Sequence, residues 1–88
     1  MSLEYDTNGI ARLPASEFHF HSGDKVSAIT SFYGGRQKAI IIDGPFYDRF
    51  MSRTFYKVRI TSHIKIYGGY DRGTITTVSN HSLSARKD

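Results

Sequence analysis

Thr54-Phe55-Tyr56-Lys57-Val58-Arg59-Ile60-Thr61 decides the fold class. Tyr56, Val58 and Ile60 fall at every second position with Phe55, Lys57 and Arg59 between them, and a strand is the element whose side chains alternate with a period of two. β-Branched and aromatic residues fill much of the run, as a half-buried strand requires. The segment predicts one apolar side turned to a core and a second side, Phe55, Lys57 and Arg59, turned outward.

Toward the N-terminus, Lys38 to Ile42 contains three consecutive isoleucines, the mark of a strand covered on both faces, whether by its own chain or by a second copy. Asp43-Gly44-Pro45 predicts a turn, and Phe46 to Arg53, aromatic and charged without a period, a long loop. Lys25 to Phe32 reads as extended with Val26 and Ala28 on one side, closed by the hairpin-type turn Tyr33-Gly34-Gly35-Arg36. Glu17-Phe18-His19-Phe20-His21 alternates rings and imidazoles before the turn Ser22-Gly23-Asp24. Residues 1–16 show no sustained period and predict a loose N-terminal arm without core residues.

Toward the C-terminus, a short run from His63 to Tyr67 alternates Ile64 and Ile66 with polar neighbours and stops at Gly68-Gly69. Thr74 to Val78 predicts the last strand, Ser79-Asn80-His81-Ser82 a single helical turn around Leu83, and residues 85–88 a polar tail. No segment longer than about eight residues carries the three-and-four spacing of an amphipathic helix. Five or six short strands with Gly-rich turns predict a small, mostly antiparallel barrel over residues 17–84, an arrangement that removes exposed sheet edges.

The chain has 88 residues, 39% hydrophobic and 23% charged, with no Cys. That length holds one core. The composition excludes wholesale disorder and a membrane-spanning helix, and the lack of cysteine excludes a disulfide framework or a thiolate metal site. The acidic opening Met1-Ser2-Leu3-Glu4-Tyr5-Asp6 does not resemble a secretory signal, so the expected setting is cytoplasmic.

The formal charge is +4, and its distribution says more than its size. Residues 1–35 hold two basic residues, Arg12 and Lys25, against the four acids Glu4, Asp6, Glu17 and Asp24. From Arg49 to Arg72 there are six basic residues and Asp71 alone opposes them. Cations beside stacking rings are the minimal apparatus for holding a flexible nucleic acid, so Phe55, Lys57, Arg59, Lys65, Tyr67, Tyr70 and Arg72 form the predicted contact surface. Arg36, Lys38, Arg49 and Arg53 would widen it. The same pattern also fits rings that complete a core and cations that merely cover it, or Tyr and Arg anchors for a protein partner.

From the turn Ser22-Gly23-Asp24-Lys25 onward, Val26, Ala28, Ser31, Gly35, Lys38 and Ile40 keep the spacing of the KOW motif of transcription and ribosome-associated barrels. Gly35 is the one motif glycine retained, with Ser31 and Lys38 at the other two places. Tyr56 to Ile60 and Val78 to Leu83 resemble the third strand and the closing strand with its turn in KOW, Tudor and related Src-homology-type barrels. The resemblance implies an SH3-like barrel that binds nucleic acid, a ribosome- or polymerase-type assembly, or a peptide, without catalysis. Gly23 to Val26 and Ile64 to Tyr67 are also similar to two segments of the type II dihydrofolate reductases, but Lys65 stands where that family places its central glutamine, which argues against reductase activity.

The remaining constellations are weaker. His19, His21, His63 and His81 have no metal-ligand spacing, and nothing resembles a nucleophile elbow. Gly34-Gly35 and Gly68-Gly69 lack the Lys-Ser/Thr ending and following helix of a phosphate loop. The expectation is a non-enzymatic binding module without metal or cofactor, contacting nucleic acid or a nucleoprotein machine. The alternative is a protein-interaction or assembly module, such as a phage or mobile-element accessory factor or an inhibitor of a host protein. A homodimer is compatible with either, a membrane partner with neither.

Overall fold

The computed structural model describes residues 3–14, 18, 20–31, 33–63 and 68–86. Its strands are β1 (Ile10–Arg12), β2 (Lys25–Ile29), β3 (Arg36–Asp48), β4 (Arg53–Ile60), β5 (Ile75–Ser79) and β6 (Leu83–Ala85), with a 3₁₀ turn at Asn80–Ser82. They form one sheet in the order β5-β4-β3-β2-β6, with β1 attached to β3 outside that path. Every pairing is antiparallel. Among the described residues no helix is long and apolar enough to cross a membrane.

The alternation in β4 holds. Tyr56, Val58 and Ile60 are fully buried while Lys57 and Arg59 are exposed. Their inner face meets Val26 and Ala28 of β2, Ala39 and Ile41 of β3, Val78 of β5 and Leu83 of β6 in a single core cluster. Phe20 closes one end by setting its ring edge-on to Tyr56, centroids 5.8 Å apart at 86°. Five strands contribute to one cluster, so the sheet wraps around it. The edge strands β5 and β6 are joined only through the 3₁₀ turn and do not pair, which leaves the sheet open along that seam.

Two expectations are corrected. Asp43-Gly44-Pro45 does not reverse the chain, and Phe46 to Arg53 is not a long loop: β3 runs thirteen residues straight through to Asp48, and β4 begins at Arg53 after a four-residue turn. Against β4 the register passes from Ile41↔Val58 to Asp43↔Lys57 and then to Phe46↔Phe55, so each step leaves one extra residue on β3. These are bulges, and a bulge tolerates the missing N–H of Pro45 that a regular ladder would not. Gly44 sits there at φ +114°, and a Cβ on it would stand 3.0 Å from Tyr56 Cδ1 and 3.3 Å from the Phe55 carbonyl oxygen, so the backbone of β3 lies directly on β4.

The second correction concerns the supposed loose arm. Ile10–Arg12 pairs with Asp48, Tyr47 and Phe46, taking the flank of β3 that β2 leaves unoccupied, and Ala11 is 2% exposed. Three residues are too short to show a period, which is why this strand has no signature in the sequence. Near Phe20, no strand is present among the described residues of the predicted run Glu17 to His21; Glu17 and His19 lie outside them. The predicted short strand His63 to Tyr67 likewise falls mostly outside the described residues.

Candidate nucleic-acid interface

Residues directly opposed across an antiparallel pair share a face. Arg59 opposes Ile75 on β5 and Ile40 on β3, and Ile40 opposes Lys25 on β2. One row across four strands therefore reads Ile75, Arg59, Ile40, Lys25 on the outer side of the sheet. Lys57 lies on the same face two positions along β4, and Lys38 and Arg36 follow Ile40 at two-residue steps along β3. Five cations, Lys25, Arg36, Lys38, Lys57 and Arg59, thus share one wall, and all are exposed.

Their cross-strand partners are Ile40, Ile29, Ser27, Thr77, Ile75 and the single acid Asp43, opposite Lys57. Asp43 is already engaged: Arg12 Nη1 donates to its Oδ1 at 2.7 Å and Nη2 to its Oδ2 at 3.2 Å. That bond holds the Asp43 carboxyl below its ordinary range against the opposing effect of burial, the next largest influence, and Gly44 N–H and the charges of Arg12 and Lys57 add to the lowering. Among the described residues Lys25, Lys57 and Arg59 have no ion-pair partner within hydrogen-bonding range. Arg36 donates to Ser84 Oγ on β6 at 3.2 Å, which keeps its guanidinium over the same wall.

The other predicted site residues lie elsewhere. Phe55 has the parity of Lys57 and Arg59 but is 8% exposed, so it is not a free stacking surface. Phe46 packs against it at 5.4 Å and 30°, Arg53 covers its ring at 5.0 Å, and Arg12 covers Phe46 at 4.9 Å. Arg49 sits at the tip of the β3–β4 hairpin over the rings of Tyr5 and Phe50. Arg72 occupies the turn before β5, its Nη1 3.2 Å from His63 Nδ1. Lys65 and Tyr67 lie outside the described residues.

Tyr70 is held by a side chain that sequence reading overlooked. Gln37, 2% exposed on the inner side of β3, donates through Nε2 to the Tyr70 carbonyl at 2.8 Å and accepts from Tyr70 N–H at 3.0 Å. Its Oε1 also accepts from Thr30 Oγ1 at 2.7 Å, so one buried amide ties β2, β3 and the β4–β5 connection together. Lys25 was overlooked for a different reason: it is remote in sequence from the basic segment, and only the β2–β3 register brings it beside the wall.

Neither the exposed histidines nor the acids assemble into a metal site: no three such groups converge among the described residues. Burial of the Tyr56 hydroxyl pushes its phenol above the ordinary range, against a lowering by the Phe20 backbone. No family model, curated protein or solved structure matches the chain.

Proposed function

We propose that this chain is a non-enzymatic binding module that holds the sugar-phosphate backbone of nucleic acid on the outer wall of its sheet, within an SH3-like barrel of the KOW and Tudor kind. The observation that carries the reading is the gathering of Lys25, Arg36, Lys38, Lys57 and Arg59 on one face, with the only acid among their cross-strand partners, Asp43, bound to Arg12. The strand order, with a 3₁₀ turn joining the two edge strands, supports the barrel.

Because Phe55 is covered, stacking on it contributes nothing and the contact is electrostatic. Such contact neutralises phosphates and releases counterions, and it reads backbone rather than base. The expected affinity is that of non-specific binding, a Kd of about 10⁻⁴ to 10⁻⁶ M at physiological salt, and full use of five cations on a single strand gives a log–log salt slope of about −3.5. A salt-titrated binding assay on single-stranded and duplex DNA and RNA tests this. Lys57→Glu with Arg59→Glu should weaken every sequence alike, and a flat salt response would exclude the proposal.

A second reading, docking on a protein, is favoured by Phe50 and Met51, each 69% exposed at the hairpin tip. It predicts feeble nucleic-acid binding that Lys57→Glu leaves unchanged and retention of one protein that Met51→Ser abolishes.

A further inference from the structure

Where the sheet stays open, a groove of about 380 Å³ runs between the end of β2, β5 and the 3₁₀ turn. Its volume lies within the range that holds small organic ligands. Thr77, Ser79 and Ser82 supply hydroxyls along it, and Ile29 and Val78 supply apolar surface. Among the described residues Arg53 is the one charged residue in its lining, and no carboxylate lines it.

Arg53 is prepared for an anion in two ways. Its guanidinium rests on Phe55 at 5.0 Å, which fixes the plane and leaves the in-plane N–H edge for another partner. Its Nε is buried and has no hydrogen-bond partner among the described residues. Buried donors are almost always satisfied, so an orphaned one at the wall of a groove points to an acceptor that enters from outside the chain. Asp48, the register partner of Arg53, does not supply it: Asp48 Oδ1 accepts from the Phe50 and Met51 amides at 3.0 and 3.2 Å. A tetrahedral oxyanion meets the Nε and Nη edge of a guanidinium in bidentate fashion and accepts further bonds from hydroxyls.

We infer that the seam groove is a binding site for a phosphate monoester, with Arg53 taking the phosphate and the groove floor taking the body of the ester. The site adjoins the cationic wall, since Ile29 and Thr77 of its lining stand opposite Arg36 and Lys57, but its anion-binding group, Arg53, is not one of the wall's five cations; a mononucleotide and the 5′-phosphorylated end of a strand present the same chemistry to it.

Chemical-shift titration with 5′-AMP and with adenosine tests the inference on the unaltered chain. AMP should shift the Arg53 Nε–H and the Ser79 and Ser82 amides with saturation, and adenosine should bind at least tenfold more weakly. Arg53→Lys should lose at least tenfold in AMP affinity, because an ammonium cannot make the fork. Lys57→Gln with Arg59→Gln should lower AMP affinity far less than Arg53→Lys does while lowering nucleic-acid affinity, so failure of this site and failure of the wall are read separately. Equal binding of AMP and adenosine, or shifts confined to the wall, would overturn the inference. Competition by an octanucleotide carrying a 5′-phosphate, but not by its 5′-hydroxyl form, assigns the ester to a strand end, and competition by neither assigns it to a free small molecule.

Discussion

Phe55 and Lys57 stand two residues apart on the same side of β4 and meet opposite surroundings. Phe55 lies under Phe46 and Arg53, whereas Lys57 faces solvent beside Asp43. The outer face of this sheet is therefore two regions. At the hairpin end, where β1 extends the sheet beside β3, guanidinium, ring, ring and guanidinium follow one another as Arg12, Phe46, Phe55 and Arg53. Past the bulges of β3 the face is shared by cations, hydroxyls and the isoleucines Ile29, Ile40 and Ile75. Period-two spacing places a residue on a side but does not say what covers that side, and here a three-residue strand and an aromatic neighbour decide it.

If the ring-covered end is structural and the cationic middle functional, damage to each should be read in different measurements. Phe55→Ala removes a nearly buried ring and should cost about 3–4 kcal/mol of folding stability in urea unfolding, while the salt slope of nucleic-acid binding at temperatures where the variant stays folded is unchanged. A changed slope with unchanged stability would reverse the assignment. Gly44→Ala tests the border between the two regions. An L-residue at φ +114° is strained, and its methyl would press on Tyr56 and on the β4 backbone, so a loss of about 1–3 kcal/mol is expected. A neutral result would mean that the bulge is not held as described.

The cationic middle should behave in the contrary way. Lys57→Gln with Arg59→Gln should leave stability within about ±0.5 kcal/mol. On single-stranded DNA the same pair should reduce the magnitude of the salt slope by about 1.4, at roughly 0.7 for each phosphate no longer neutralised. Lys25→Gln should remove a further ~0.7, although Lys25 lies outside the basic segment, and this is the sharpest check that the wall is assembled by register and not by sequence proximity.

That distinction also marks what could be read from the chain. The strand of Tyr56, Val58 and Ile60, the burial of Val26 and Ala28, and the helical turn before Leu83 were all visible, because each is a local pattern whose period or turn chemistry is contained in a few residues. The continuity of β3 was hidden, since Asp-Gly-Pro carries every local sign of a turn and only pairing with β4 and β1 turns it into a bulge. Gln37 was hidden because a glutamine beside a Gly-rich turn looks solvated until the tertiary fold brings Tyr70 against it. The outward placement of Lys57 and Arg59 was legible from the alternation of β4, whereas grouping them with Phe55, Arg49 and Arg53 required the face to be uniform, and it is not.

The smallest expected effect concerns the ion pair at the boundary. Arg12 lowers the pKa of Asp43 in the folded chain, so the folded state favours the carboxylate more than the unfolded state does. The resulting stabilisation is present above the ordinary carboxyl range and is lost as the pH falls through the depressed folded value. Both side chains are more than a third exposed, at 62% and 38%, and solvent screening keeps the contribution below about 1 kcal/mol. Asp43→Asn should therefore be slightly less stable than the parent chain at pH 7, and the gap should narrow as the pH is lowered. The same substitution leaves Lys57 without its facing acid and Arg12 without its partner, so it should raise nucleic-acid affinity even as it lowers stability. A variant that lost both together would place Asp43 among the groups that shape the wall, and not among those that merely limit its charge.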